Sequence, residues 1–97
     1  MKLYPGFAEE YKDRHDDLWP DLKALLKEKG VSDYSIFIDY ETNSLFAVMK
    51  VTDINVLDEL SDSPIMQQWW QYMSDIMETN ADNSPERVTL KEVFYLA

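Results

Sequence analysis

Apolar residues recur with helical spacing in the first third of the chain. Between Phe7 and Lys29 they form one stripe at roughly 100° per residue, which predicts a long amphipathic helix. Gly30 directly after this segment predicts its end. Pro20 lacks an N–H, and its ring would clash with the carbonyl of Asp16, so we expect a kink or break there. The stripe consists of Phe7, Tyr11, Leu18, Leu22, Leu25 and Leu26.

Two segments in the middle of the chain have the composition of β-strands. Tyr34–Asp39 and Ser44–Val51 are rich in β-branched and aromatic residues, which predicts two strands. The four-residue connection 40–43 makes them a hairpin, in which Asn43 suits a left-handed turn. Apolar side chains fall on both faces of these strands, so both faces of the sheet need to be covered.

The second half of the chain contains two further helical segments. A short helix is predicted around Ile54–Leu60. Ser63 and Pro64 then suit the capping and first positions of a second main helix. That helix is predicted to run to about Met77, and a loop over residues 78–88 follows.

Short strands at both ends complete the predicted topology. Residues 1–4 form the first strand, ended by Pro5 and Gly6, and Leu90–Leu96 form the last. The order βαββαβ is an α+β, ferredoxin-like arrangement, and 97 residues suffice for one domain spanning 1–97. Both main helices lie on one face of such a sheet, and the other face is apolar. We therefore expect a homodimer packed sheet against sheet.

Charge and composition exclude several classes of partner. Nine basic and nineteen acidic residues give a net charge of −10, the wrong sign for nucleic acid or for an anionic membrane surface. The chain has no cysteine, which fits a reducing cytosol. The N-terminus turns acidic before a signal-peptide stretch could form, and no window approaches the roughly 18 apolar residues of a membrane span. These features predict a soluble, cytoplasmic protein.

His15 is the only histidine and therefore the only side chain whose ordinary pKa lies near neutrality. Tyr11 precedes it by four residues and Trp19 follows it by four, so the three rings are predicted to lie on neighbouring helical turns. This favours an acid–base group between aromatic walls. The alternative is a half-buried histidine that is hydrogen-bonded in the core.

Other aromatic residues are candidates for ligand contacts. Trp69 and Trp70 lie on an apolar arc wider than the stripe needed to seat a helix, so one indole has surface to spare for stacking on a sugar. Tyr34 offers a phenol at the start of the hairpin. The alternatives are that both tryptophans are packing residues and that Tyr34 is a strand-end residue. In the turn 82–85, Asn83 or Ser84 could also face a ligand. A zinc site lacks cysteine and a second histidine.

Four motifs follow one another along the chain: Tyr11-x-x-Arg14-His15-x-x-Leu18-Trp19-Pro20-Asp21-Leu22, Trp69-Trp70-x-Tyr72-Met73, Asp82-Asn83-Ser84-Pro85 and Glu92-Val93-Phe94-Tyr95-Leu96. In this order and spacing they resemble the L-rhamnose mutarotase family over essentially the whole chain. The resemblance implies a homodimeric α/β barrel and the conversion of α- to β-L-rhamnose in cytoplasmic rhamnose metabolism. It implies that His15 is the proton donor and that Tyr11, Tyr34, Trp69 and Trp70 bind the sugar. That reaction involves no redox or phosphoryl step, so we expect no cofactor or metal.

Mutarotation needs one proton removed from the anomeric hydroxyl and one delivered to the ring oxygen. We hypothesise that His15 protonates the ring oxygen and recovers that proton on ring closure. Tyr11 would orient His15 or bond a hydroxyl, and the partner base could be a water, a tyrosine or a carboxylate.

Two other functions are compatible with the predicted fold. It also serves cofactor-free monooxygenases and non-catalytic ligand-binding modules. Family members usually carry several residues before the position of Met1, so we expect Met1 to be an internal start of a longer natural chain.

Overall fold

The computed structural model describes residues 1–97 as an α+β arrangement of four helices and a two-stranded antiparallel sheet. No helix combines the length and the apolar character needed to span a bilayer. In chain order the elements are α1 (Ala8–Asp16), α2 (Pro20–Glu28), β1 (Ser32–Asp39), β2 (Ser44–Lys50), α3 (Val56–Ser61) and α4 (Pro64–Met73).

The predicted break at Pro20 is confirmed. Helix α1 ends at Asp16, and Trp19 takes up an extended conformation with φ −55° and ψ 130°, which a following proline favours. Pro20 is the first residue of α2, where its missing N–H costs no hydrogen bond. Trp19 therefore lies outside α1, and the prediction that it follows His15 on the same helix is wrong.

Helix α2 ends in a Schellman motif at the predicted glycine. The N–H of Gly30 donates to the carbonyl of Lys27 at 3.1 Å, and the N–H of Val31 donates to that of Leu26 at 3.0 Å. Gly30 has φ +82°, a left-handed conformation that side chains resist. A Cβ atom at Gly30 would overlap the side chain of Thr52. The glycine thus serves both the turn and the close packing against the segment after β2.

The central hairpin is confirmed, with each strand shifted slightly from its predicted bounds. Phe37 lies opposite Phe46 across the β1–β2 pair, and Asn43 in the turn has the expected left-handed φ of 57°. Leu45 on the inner face is buried, whereas Phe37 and Val48 on the outer face are 60% and 61% exposed. The apolar outer face is therefore uncovered in the single chain.

The predicted first strand is reduced to two isolated bridges. Lys2 pairs with Ser44, and Leu3 pairs with Met77. The segment thus lies between the start of β2 and residues 76–78, which is the interior position that the predicted topology gives it. Pro5 lacks an N–H and cannot extend the ladder, so the segment stops after two bridged residues.

The prediction of a last strand over Leu90–Leu96 is wrong. These residues form no regular element, and Val93 and Phe94 are 92% and 79% exposed. A strand requires an edge with free backbone groups, and residues 76–78 occupy the place beside the first segment. Consequently the four-stranded ferredoxin-like sheet is not formed within one chain. The residues of the segment alone could not reveal that competition.

The second main helix begins as predicted but ends early. Pro64 is the first residue of α4, and the helix stops at Met73 rather than near Met77. Ser63 occupies the N-cap position, but its side chain makes no capping hydrogen bond, contrary to the prediction. Its backbone carbonyl instead accepts the N–H of Gln67 at 3.0 Å. The short helix α3 begins at Val56, two residues after its predicted start at Ile54.

One main core holds these elements together. It joins side chains from the N-terminal segment, both halves of the broken helix, β2 and α4, and two members come from the turn after α4. Burial of apolar surface contributes about 25 cal/mol per Å², so this cluster is a main source of stability for the contacts between these elements. Its buried members are Leu3, Tyr11, Leu22, Leu45, Trp69, Met73, Ile76 and Met77.

The two left-handed glycines allow a matched stability test. Gly6→Ala adds a methyl group at φ +86° with no atom within 4 Å, so we expect a loss of about 1 kcal/mol from backbone strain alone. Gly30→Ala adds similar strain and a clash with Thr52, for a total of roughly 2–4 kcal/mol. Urea unfolding of both variants checks this. Equal losses at the two positions would contradict the role assigned to Thr52.

Candidate active site

A cavity of about 710 Å³ opens between α1, α4, the inner face of the hairpin and the loop that follows α4. The structure places all five sequence-predicted site residues on its wall, although they come from three different elements. Their proximity therefore follows from the packing of α1 and β1 against α4. These residues are Tyr11, His15, Tyr34, Trp69 and Trp70.

The geometry of α1 defines the tautomer of His15. Nδ1 of His15 lies 2.9 Å from the carbonyl oxygen of Tyr11, one helical turn earlier. A carbonyl can only accept, so Nδ1 carries the hydrogen of this bond. In the neutral imidazole the lone pair is therefore on Nε2, which is the atom that takes up and releases a proton. The helix backbone thus orients the acid–base group.

Burial tunes His15 towards its neutral form. Desolvation lowers the pKa of His15 from its ordinary 6.5, and the hydrogen bond that Nδ1 donates to the Tyr11 carbonyl and the charge of Asp16 oppose this only in part. A low-dielectric surrounding disfavours the charged imidazolium. At neutral pH most His15 side chains are therefore uncharged and ready to accept a proton at Nε2.

Two aromatic rings enclose the imidazole. The Tyr11 ring stacks on His15 with centroids 4.3 Å apart and planes inclined at 27°. Trp69 meets the imidazole edge-on at 5.3 Å and 90°. Burial raises the pKa of the Tyr11 phenol, and the neighbouring Tyr34 raises it further. Tyr11 is therefore a neutral hydroxyl at physiological pH and can donate a hydrogen bond.

The two adjacent tryptophans have different environments. Trp69 is 7% exposed and belongs to the core, whereas Trp70 is half-buried and borders the cavity from the flank of α4. Tyr34 in β1 is 43% exposed and also borders the cavity. Trp70 and Tyr34 therefore retain surface for a ligand, while Trp69 supports the imidazole.

Two further aromatic side chains, which are not among the predicted site residues, contact Trp69. The Trp19 ring lies 5.1 Å from Trp69 in an edge-on contact, and Tyr72 lies 5.6 Å from Trp69. Trp19 also contacts Tyr72 at 5.5 Å. The spacing of Trp19 from His15 in the sequence predicted a contact between these two rings. Trp19 instead contacts Trp69 and Tyr72.

Arg14 connects α1 to the end of α4 next to the site. Its Nη1 donates to Asp75 at 2.8 Å and to the backbone carbonyl of Tyr72 at 2.7 Å, and its guanidinium carbon lies 4.4 Å from the centre of the Tyr72 ring. The Arg14 guanidinium holds the pKa of Asp75 below its usual range. Because 61 residues separate Arg14 from Asp75, no local pattern could reveal this pair.

The remaining polar lining is sparse. Lys12 and Asp16 pair with each other at 2.6 Å with both side chains largely exposed, and Asn83 contributes an uncharged amide. No three His, Cys, Asp or Glu side chains are grouped closely enough to hold a metal ion. The available chemistry is proton transfer at His15 and hydrogen bonding by neutral groups.

A mainly apolar cavity with one oriented imidazole defines a small-molecule-binding α+β protein. Comparison with known proteins narrows this class. A sequence model of the family described as L-rhamnose mutarotase matches residues 1–96. The L-rhamnose mutarotase of Sinorhizobium fredii is 56% identical over 97 residues, covering 100% of this chain and 93% of that protein. The enzyme of that name from Listeria monocytogenes is 54% identical with the same coverage.

A solved structure agrees with the sequence comparison. The crystal structure of an L-rhamnose mutarotase from Formosa agariphila superposes with a TM-score of 0.91 at 54% identity, covering 100% of this chain and 93% of that one. The chain therefore belongs to the L-rhamnose mutarotase family.

Proposed function

We propose that this protein interconverts the α and β anomers of L-rhamnose and that His15 carries the proton transfers. Family membership makes the protein an isomerase of the L-rhamnose mutarotase type. The observation that supports His15 as its acid–base group is the Tyr11–His15 hydrogen bond inside an aromatic cavity. It leaves one titratable nitrogen, Nε2, for the substrate.

The lowered pKa of His15 indicates how the cycle begins. Neutral Nε2 removes the proton from the anomeric hydroxyl, and the ring C–O bond breaks as the aldehyde forms. The imidazolium then donates that proton to the ring oxygen. The aldehyde rotates about one bond, and the same steps in reverse close the ring. Because the two sugar oxygens share one carbon, a single imidazole can serve both, in place of the separate partner base considered from the sequence.

The neutral aromatic lining suits a sugar that carries no charge. The face of Trp70 can stack on the C–H groups of the pyranose, and the phenols of Tyr11 and Tyr34 can donate to its hydroxyls. The cavity is lined mainly by apolar residues, so its lining alone would also suit the aromatic substrate of an oxygenase. The family assignment favours the sugar over the oxygenase and the non-catalytic alternatives.

Replacing His15 tests the assignment directly. We expect His15→Ala to slow anomer exchange of L-rhamnose by roughly 10²–10⁴-fold, the usual contribution of a positioned acid–base group. Saturation-transfer NMR on equilibrated L-rhamnose measures the exchange after subtraction of the uncatalysed rate. Thermal stabilisation by L-rhamnose should persist in the variant, and added imidazole should restore part of the rate. Exchange as fast as in the parent would rule out His15.

The pH dependence of the parent protein tests the direction of the first proton transfer. Protonation removes the Nε2 lone pair, so activity should fall as the pH drops through the pKa of His15. Since that pKa lies below 6.5, the rate at pH 6.5 should exceed half of its plateau at neutral pH. Exchange rates between about pH 5 and 8 check this. A rate that increases towards acid would instead make the imidazolium the starting form.

We also propose that the protein functions as a homodimer in which the outer faces of two hairpins pack together into an α/β barrel. The single chain exposes 7262 Å², whereas a folded monomer of this mass exposes roughly 5,800 Å². The difference of roughly 1,500 Å² exceeds the roughly 800 Å² per partner that a stable interface buries. The uncovered face of the hairpin and the exposed C-terminal segment supply apolar surface for it. A cytoplasmic location remains a prediction from the sequence.

A charge on the outer face of the hairpin should disrupt the dimer. Val48→Asp places a carboxylate on that face, and burying it unpaired would cost several kcal/mol, so we expect a shift towards monomer. Ile54→Asp is the matched control, because Ile54 is 78% exposed but lies between β2 and α3. Sedimentation velocity distinguishes the two variants. A parent that sediments as a monomer would contradict the proposal.

A further inference from the structure

We propose that Asn83 is a substrate-binding residue that selects the sugar by hydrogen-bonding two adjacent ring hydroxyls. This inference rests on the proposed function, because it takes the same cavity as the sugar site. It adds a residue from the loop after α4 to the wall formed by α1, β1 and α4. Asn83 lines that cavity together with Pro85.

The loop around Asn83 is held by hydrogen bonds among its other polar residues. The N–H of Asn80 donates to the Ser84 carbonyl at 2.7 Å, and the Asn80 amide donates to the Ser84 hydroxyl at 3.0 Å. Asp82 accepts both the N–H and the hydroxyl of Ser84. These three side chains therefore bond to one another, whereas the carboxamide of Asn83 makes no hydrogen bond within the chain.

The backbone conformation of Asn83 is energetically unfavourable. Its φ of +68° lies in the left-handed region, which is unfavourable for residues other than glycine, although asparagine tolerates it best. The N–H of Asn83 donates to the Asn80 carbonyl at 3.0 Å, which closes the turn. A glycine would meet the backbone requirement without strain, so the turn alone does not explain the amide.

The chemistry of a carboxamide matches a neutral polyol. One amide oxygen accepts a hydrogen bond while the N–H₂ group donates, so Asn83 can accept from one hydroxyl and donate to its neighbour. Among the residues that line the cavity, Glu9, Lys12 and Asp16 carry charges, which are costly to desolvate against an uncharged ligand. Asn83 is the one uncharged amide in the lining, and His15 on α1 serves the anomeric end.

Asn83→Gly removes the amide and keeps the left-handed backbone. We expect its KM for L-rhamnose to rise about 3–10-fold, as for the loss of one or two neutral hydrogen bonds, with kcat within about twofold. Asn43→Gly is the matched control, because Asn43 has φ +57° in the hairpin turn and does not line the cavity. That control should leave KM unchanged. Saturation-transfer NMR at increasing L-rhamnose concentration gives both constants.

Monodeoxy analogues of L-rhamnose test the contact itself. If Asn83 bonds two adjacent hydroxyls, removing either one should weaken binding to the parent several-fold and have little further effect in Asn83→Gly. An unchanged KM in Asn83→Gly, or an analogue preference that survives the substitution, would overturn the inference. A parent that fails to accelerate anomer exchange would instead overturn the proposed function, so the two failures are distinguishable.

Discussion

The packing of α1 against α4 through aromatic side chains is the contact on which the rest of the structure depends. Tyr11 and Trp69 are both buried in the main core and enclose His15 between them. The same contact therefore stabilises the fold and partly desolvates the imidazole. Removing bulk from either ring would loosen the core and change the desolvation that lowers the pKa of His15.

Polar contacts behind the rings give this packing a definite register. Arg14 joins α1 to Asp75 and to the carbonyl of Tyr72, and Trp19 and Tyr72 both contact Trp69. A proton-transfer group needs its geometry held closely. The backbone of α1 fixes the tautomer of His15 through the bond to Nδ1, and the α1–α4 contact positions the imidazole ring.

The incomplete sheet is the complementary feature of the architecture. Residues 76–78 occupy the position beside the N-terminal segment, which leaves the C-terminal segment without an edge and the outer hairpin face without cover. A small chain buries a limited share of its surface. Here the exposed apolar side chains lie mainly on the outer face of the hairpin and in the C-terminal segment. A second copy would cover the outer face while leaving the cavity on the inner face available for substrate.

The sequence predicted most elements because their signals are local. Pro20 broke the helix, Gly30 closed it in a Schellman motif and Asn43 took up a left-handed turn, since each depends on the residue's own backbone preferences. The sequence also identified His15 and its aromatic neighbours as candidates. The strand over Leu90–Leu96 was predicted incorrectly, because local sequence shows which residues favour a strand but not whether a sheet edge is free.

Tertiary structure decided what depends on contacts between distant segments. The tautomer of His15 follows from a local bond, but its lowered pKa requires burial in the folded chain, where Trp69, 54 positions away, contacts the imidazole. The Arg14–Asp75 pair, the separation of Trp69 and Trp70 into core and cavity wall, and the placement of Asn83 likewise arise only when α4 and its following loop pack on α1 and the hairpin. Sequence thus determined the chemistry available, and packing determined which groups meet.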